Sequence, residues 1–93
     1  MELLLDGRAI PDRNALHDAL QAGLALPEYY GRNLDALSDL LEERAEETCI
    51  TLLHSETLLE KLGRYGERFL LVLRGAAEEN PNVRLQIDPV PRN

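Results

Sequence analysis

The side chains best suited to chemistry or recognition cluster in one segment, LPEYYGRNLDALSD, at residues 26 to 39. It ends with Asp35 and Asp39, whose spacing of four residues places both carboxylates on one face of a helix. Two adjacent tyrosines, Tyr29 and Tyr30, precede that helix and are followed by Gly31. Carboxylates in this arrangement can serve acid–base catalysis, bind a metal ion or pair with the basic groups of a partner.

The charge of the chain favours the last of these roles. Its 17 acidic and 10 basic residues give a formal net charge of −7, and residues 28 to 47 hold seven acidic residues against two basic ones, a net charge of −5. Binding to nucleic acid through its phosphates needs clustered Lys and Arg, so we expect no direct nucleic acid binding. An acidic protein attracts a basic partner instead.

Length and composition indicate one small domain spanning residues 1 to 93. With 93 residues, 44% of them hydrophobic, the chain can form a single core without metal or disulfide support. No run approaches a membrane span, and the first residues, MELLLDG, lack the features of an export signal. The single cysteine, Cys49, lies in an apolar stretch, so we expect a buried thiol in a cytoplasmic protein without a cofactor.

Short apolar runs and helix signals alternate along the chain. The predicted strands cover residues 2 to 5, 49 to 54 and 83 to 87, and the second is apolar enough to be buried on both faces. The predicted helices run from 12 to 23 with Pro11 at the first helical position, from Asn33 as N-cap, from Ser55 as cap to Gly63, and through Phe69 to a stop at Asn80. The order β-α-α-β-α-α-β predicts an α/β fold with a small parallel sheet.

The second predicted helix is amphipathic. On a helical wheel its carboxylates form an acidic stripe opposite a leucine face that packs on the core. The stripe contains Asp35, Asp39, Glu42, Glu43 and Glu46, and the packed face contains Leu34, Leu37, Leu40 and Leu41. Like charges four residues apart repel, so the stripe is mildly unfavourable in the free protein, although many charged helix faces are plain solvated surface.

The two tyrosines divide between packing and contact. Tyrosines before a helix often anchor its entry to the core, and we expect Tyr30 to be the more structural of the pair. An exposed Tyr29 would be a rigid amphipathic contact of the kind enriched at interfaces. Gly31 fits either a positive φ angle or the close approach of a partner's backbone.

The stretch LALPEYYGRNLDALSDLL, residues 24 to 41, closely resembles the segment that characterises the barstar family of intracellular ribonuclease inhibitors. A second stretch, VLRGAAEEN at residues 72 to 80, is a weaker echo of the last helix of that family. The resemblance implies a barstar-like fold, a three-stranded parallel sheet packed by about four helices. It also implies an inhibitor without catalytic activity that binds one to one to a basic extracellular-type ribonuclease of the barnase class. We expect a monomer when the protein is free.

The resemblance also implies roles for individual residues. Asp39 would take the place of a substrate phosphate among the basic catalytic groups of the enzyme, and Asp35 would pair with an arginine at the rim of its cleft. Tyr29 would stack against a catalytic histidine, Gly31 would offer backbone contacts, and Asn33 would cap the helix beside the interface. The predicted partner-binding residues are Tyr29, Tyr30, Gly31, Asn33, Asp35, Ser38, Asp39, Glu42, Glu43 and Glu46.

Three positions depart from the family pattern. Ser38 and Arg44 stand where the family has aromatic residues, which removes apolar contact area. Gly75 stands where the family contributes an acidic residue from its last helix, and Glu78 or Glu79, one turn further on, could substitute for it. Inhibition of some basic ribonuclease is therefore better supported than inhibition of barnase itself.

Two other classes of function stay open on the sequence. The first is an acidic interaction or immunity module for a basic toxin that is not a ribonuclease. The second is an enzyme or metal protein that combines Asp35 and Asp39 with a histidine. The second class is disfavoured because the two histidines lie in different elements. His17 is expected on the surface of the first helix, and His54 is expected to be structural at a strand end. A nucleophile motif and a phosphate-binding loop are also missing from the sequence.

Overall fold

The computed structural model describes residues 1–89. Its elements are β1 (Glu2–Asp6), a 3₁₀ turn (Gly7–Ala9), α1 (Arg13–Gly23), α2 (Leu34–Glu42), β2 (Thr48–Leu53), α3 (Ser55–Leu62), α4 (Arg64–Glu79) and β3 (Val83–Ile87). The three strands form one parallel sheet in the order β1-β2-β3. This confirms the predicted α/β fold with a three-stranded parallel sheet and four helices. The domain predicted for residues 1–93 includes residues 90–93, which lie outside the described part.

One face of the sheet carries the core. The register places Leu3, Ile50 and Leu85 side by side across the three strands. Large helix side chains fill the space above this face and are fully buried: Leu16, Leu20, Leu37, Leu41, Leu58, Phe69 and Leu73. Removing these apolar groups from water is the main favourable contribution to folding, and it holds α1 and α4 on the sheet and α2 against α4. No helix among residues 1–89 has the length and apolar character needed to cross a membrane.

The opposite face of the sheet is open. In β2, Ile50 and Leu52 are buried, whereas the alternating residues Cys49 and Thr51 are half-buried. Leu4, the β1 neighbour of Thr51, is 65% exposed. The prediction that this strand is buried on both faces is therefore wrong, and so is the prediction of a buried thiol. The reason is that helices cover one side of the sheet, which leaves every second side chain towards solvent.

Two helix starts differ from the predicted ones. Asp12 is the N-cap of α1, and its carboxylate accepts a hydrogen bond from the Ala15 amide at 2.8 Å, so Pro11 lies outside the helix. Ser55 is the first residue of α3 and not its cap. His54 is the N-cap residue and makes no capping hydrogen bond with its side chain; instead Asp88 Oδ1 accepts a hydrogen bond from the Ser55 amide at 3.1 Å. Hydrogen bonds from the Ser55 hydroxyl and amide lower the pKa of Asp88, which stabilises its charged form.

Candidate partner-binding site

The start of α2 is set by Asn33, as predicted. Its Oδ1 accepts a hydrogen bond from the Ala36 amide at 2.8 Å, which satisfies one of the free amides of the first turn. Leu37 and Leu41 are fully buried and hold the helix on the core. Asp35 therefore lies in the first helical turn, where the helix dipole favours a negative charge.

The outer side of α2 forms an acidic face. We define this face by its four exposed carboxylates, Asp35, Asp39, Glu42 and Glu43. Within residues 1–89 none of them forms an ion pair or a side-chain hydrogen bond. Glu42 ends the helix and Glu43 is its C-cap, so both lie where the helix dipole disfavours a negative charge. The free protein thus holds four like charges together without compensation inside the described chain.

Glu46 does not belong to this face. The predicted stripe extends the helix to residue 46, but α2 ends at Glu42 and Glu46 lies in the loop before β2. Its carboxylate is 3.2 Å from Nη2 of Arg44. This placement corrects the prediction that Glu46 continues the helical stripe, although its side chain is exposed.

Tyr29 and Tyr30 point in opposite directions, as predicted. Tyr29 is 81% exposed, whereas Tyr30 is 5% exposed. The Tyr30 hydroxyl lies 2.6 Å from Nδ1 of His17, and burial raises the pKa of Tyr30 to about 12. Tyr30 belongs to the core that supports the site, and Tyr29 supplies an exposed aromatic ring next to the acidic face.

His17 is buried between two tyrosines, and its prediction as a surface residue is wrong. Its Nε2 lies 2.6 Å from the hydroxyl of Tyr65 on α4, opposite the bond to Tyr30. Burial is the main cause that lowers its pKa, with a further contribution from nearby Arg32. The spacing of His17, Leu20 and Leu24 is that of one inward helix face, and this pattern was the signal available in the sequence.

The loop that carries the tyrosines is fastened to α1 by Arg32. This residue has a left-handed backbone with φ of 53°. Its guanidinium donates hydrogen bonds to Gln21 Oε1 at 3.0 Å, Asn14 Oδ1 at 2.8 Å and Asp18 Oδ1 at 2.8 Å. Sequence reasoning missed this role because the partners lie eleven or more residues away. The interpretation of Gly31 as the positive-φ residue is wrong, since the left-handed conformation falls on Arg32.

The remaining predicted contact residues surround the start of α2. Gly31 is exposed, and its carbonyl accepts a hydrogen bond from Nδ2 of Asn33 at 3.2 Å. Ser38 lies on α2 and is half-buried. Gly31 thus lies in the loop that carries the exposed Tyr29, and Ser38 lies on the helix that carries the exposed Asp35 and Asp39.

Arg44 and Asn80 close the far end of α2, and sequence reasoning missed both roles. The Arg44 side chain is 13% exposed and points inward, donating to the Leu24 carbonyl at 3.0 Å and to Thr48 Oγ1 at 2.5 Å. Asn80, which is buried, donates through Nδ2 to the carbonyls of Leu41 and Arg44, each at 2.9 Å. The two Asn80 bonds tie the C-terminal end of α2 to the end of α4.

Position 75 on α4 is a glycine, so it carries no carboxylate. A Cβ atom built on Gly75 meets no heavy atom within 4 Å, so the position borders open space. Glu78 and Glu79 are exposed at the C-terminal end of α4. Gly75 therefore has room for a Cβ atom.

Comparison with known proteins agrees with this geometry. The family model described as "Barstar (barnase inhibitor)" matches residues 1–88. A protein of Bacillus subtilis (strain 168) named "Putative ribonuclease inhibitor YrdF" is 38% identical over 79 residues, which cover 84% of this chain and 87% of that protein. The match extends over all the strands and helices described above, and the chain therefore belongs to the barstar family.

Proposed function

We propose that this protein inhibits a small basic ribonuclease, one inhibitor molecule to one enzyme, by placing its acidic face in the active site. Membership of a family described as barnase inhibitors and the name of the B. subtilis relative support ribonuclease inhibition. The observation that carries the proposal is the acidic face itself, four exposed carboxylates with no internal partner within residues 1–89, beside the exposed ring of Tyr29. The unpaired thiol fits a reducing cytoplasm as the place of action.

The proposed chemistry is mimicry of the RNA backbone. A ribonuclease cleft holds phosphate with Arg, Lys and His side chains, and carboxylates can form charge-assisted hydrogen bonds with the same groups. Asp39, in the middle of the acidic face, takes the position of a phosphate, and Asp35 pairs with an arginine at the rim. Tyr29 packs its ring on a histidine of the cleft, where aromatic anchors contribute strongly to binding.

Chemistry by the protein itself has no support in this geometry. Both ring nitrogens of His17 lie within hydrogen-bonding distance of tyrosine hydroxyls, so this histidine is held in the core and away from the acidic face. Within residues 1–89 no group of three or more His, Cys, Asp or Glu side chains is arranged to hold a metal ion. Exposed carboxylates lack the shielded pocket that acid–base catalysis needs. Occupying the enzyme's cleft is a sufficient mode of action.

The proposal is tested by titrating the purified protein into barnase and related small basic microbial ribonucleases while RNA cleavage is followed. We expect stoichiometric inhibition and a binding rate that falls as salt is added, because opposite charges steer the encounter. Asp39→Ala should weaken binding by at least about 2 kcal/mol. Glu60→Ala, which removes the same charge from an exposed position on α3, is the matched control and should inhibit normally.

Two results would contradict the proposal. An Asp39→Ala protein that inhibits like the wild type would overturn the phosphate role of that residue. If no ribonuclease of this class is inhibited, while the protein protects cells against a basic toxin of another kind, the acidic face serves a different target.

A further inference from the structure

A groove of about 510 Å³ lies beside the acidic face, between α2 and α4. Its α2 wall is formed by Leu34 and Asp35, and its α4 wall by Arg68, Leu71 and Val72. Asp35 therefore belongs both to the acidic face and to the groove. A partner that pairs with Asp35 therefore comes to the edge of the groove.

We infer that this groove determines which ribonuclease is bound, by taking an apolar side chain of the enzyme that is flanked by an acidic residue. The inference rests on the proposed function, because the occupant comes from the same ribonuclease that receives the acidic face. It assigns to Arg68 and Leu71 a role in partner selection.

The α4 wall is a stripe of one helix face. Arg68, Leu71, Val72 and Gly75 are spaced by three, four and seven residues from the first, so they lie above one another next to the core-facing residues. Leu71 is 68% exposed and lines the groove. Covering it with an apolar side chain would remove both surfaces from water and favour binding.

The two walls of the groove carry opposite charges. Asp35 is exposed on α2, and Arg68 is exposed on α4 without an ion pair in the part of the chain that the structure describes. A uniformly basic partner would satisfy Asp35 but would leave Arg68 against a like charge. A partner with a carboxylate next to its basic cleft satisfies both walls. Arg68 therefore discriminates against cleft rims that are basic throughout, and this repulsive element adds to specificity.

Charge reversal on α4 tests the role of Arg68. Dissociation constants are measured for the wild type, Arg68→Glu and Arg74→Glu against barnase and a panel of small basic microbial ribonucleases. Arg74 is exposed on the same helix but outside the stripe. Its reversal to Glu changes the net charge by the same amount without altering the lining of the groove. Both substitutions make the protein more acidic, so its long-range electrostatic attraction to a basic enzyme should increase in both variants. We expect Arg74→Glu to bind at least as well as the wild type. Arg68→Glu should bind the enzymes that the wild type inhibits at least about tenfold more weakly, and enzymes whose cleft rims are basic throughout more tightly than the wild type does.

Truncation of Leu71 tests the apolar half of the inference. Leu71→Ala should also weaken binding by about tenfold, whereas Leu4→Ala, which truncates a similarly exposed leucine on the open sheet face, should not. Thermal unfolding of each variant shows that it is folded. The inference is overturned if the wild type inhibits and Asp39→Ala does not, yet either groove variant binds like its control. If the wild type inhibits no enzyme of the panel, the proposed function fails first and the groove inference fails with it.

Discussion

The hydroxyl of Tyr30 lies 2.6 Å from Nδ1 of His17, thirteen residues earlier in the chain, and both side chains are buried. The other ring nitrogen lies 2.6 Å from the hydroxyl of Tyr65. A neutral imidazole has one N–H group, so it donates to one tyrosine and accepts from the other. This single ring joins α1, the loop that carries Tyr29, and α4. The loop that carries Tyr29 is therefore held on the core by the hydrogen bond between Tyr30 and the buried imidazole of His17.

The first prediction concerns the dependence of stability on pH. Burial lowers the pKa of His17 below its ordinary value of 6.5; Arg32 lowers it further and Asp18 opposes the shift. The unfolded chain therefore takes up a proton before the folded protein does. The contribution of this group is fully present above pH 6.5 and is lost as the pH falls below that value towards the folded pKa. Urea unfolding measured over this range should show the free energy of unfolding falling.

The matched comparison for this prediction is His17→Gln against the wild type. Replacing the buried His17 should flatten the decline below pH 6.5. An equal decline in both proteins would show that other groups cause it.

The second prediction separates the two adjacent tyrosines. Tyr29→Ala removes a ring that is 81% exposed, so the free energy of unfolding should change by less than about 0.5 kcal/mol while inhibition is lost in large part. Tyr30→Phe removes a buried hydroxyl and leaves a ring nitrogen of His17 without its partner, which should cost about 1–3 kcal/mol of stability. Denaturant unfolding and an inhibition titration on both variants check this. Equal effects of the two substitutions on stability would contradict the division of roles.

Much of the site could be predicted from local sequence, because the signals there are local. The alternation of leucines and carboxylates fixes the orientation of α2, and Asn33 fixes its start. In each of these cases a residue's neighbours in the chain are also the ones that decide its environment.

Other features depend on contacts between residues that are distant in the chain, and sequence patterns do not reveal those contacts. The spacing of His17 with Leu20 and Leu24 indicates an inward position, but the two tyrosine hydroxyls that bond its ring nitrogens come from other elements. The helical pattern continues to Glu46, but α2 ends at Glu42, and Asn80, 36 or more residues further along the chain, donates to the carbonyls of Leu41 and Arg44 there. The open sheet face was missed because an apolar strand has the same composition whether one or two layers cover it.

The third prediction concerns the end of α2. Asn80→Ala removes two hydrogen bonds to the carbonyls of Leu41 and Arg44 and should destabilise the protein by about 1–3 kcal/mol. Asn80→Asp should be more harmful, because it places a charged acceptor against two carbonyl acceptors. Asn82→Ala is the control: its side chain makes one bond, at 3.2 Å to Arg44, so a smaller loss is expected. Thermal unfolding of the three variants gives the order, and an Asn82→Ala protein as unstable as Asn80→Ala would contradict it.

The fourth prediction concerns the stability and the inhibitory strength of variants at Gly75. A Cβ atom there meets no heavy atom within 4 Å, and a glycine inside a helix costs about 1 kcal/mol relative to alanine, so Gly75→Ala should stabilise the protein by about that amount. Gly75→Glu should also stabilise it, and it would add a carboxylate where the resemblance to the family places an acidic residue. If α4 faces the basic cleft, this variant should inhibit a barnase-class ribonuclease more tightly than the wild type.

Gly75→Gln separates charge from size in that experiment. It has nearly the same volume as Gly75→Glu and a comparable helix propensity, so both should gain similar stability. A tighter inhibition constant for Gly75→Glu alone, which weakens as salt is added, would show that the new charge faces a basic surface. Equal inhibition by both variants would mean that position 75 lies outside the interface, and the bound enzyme would then have to lie on α2 without reaching this turn of α4.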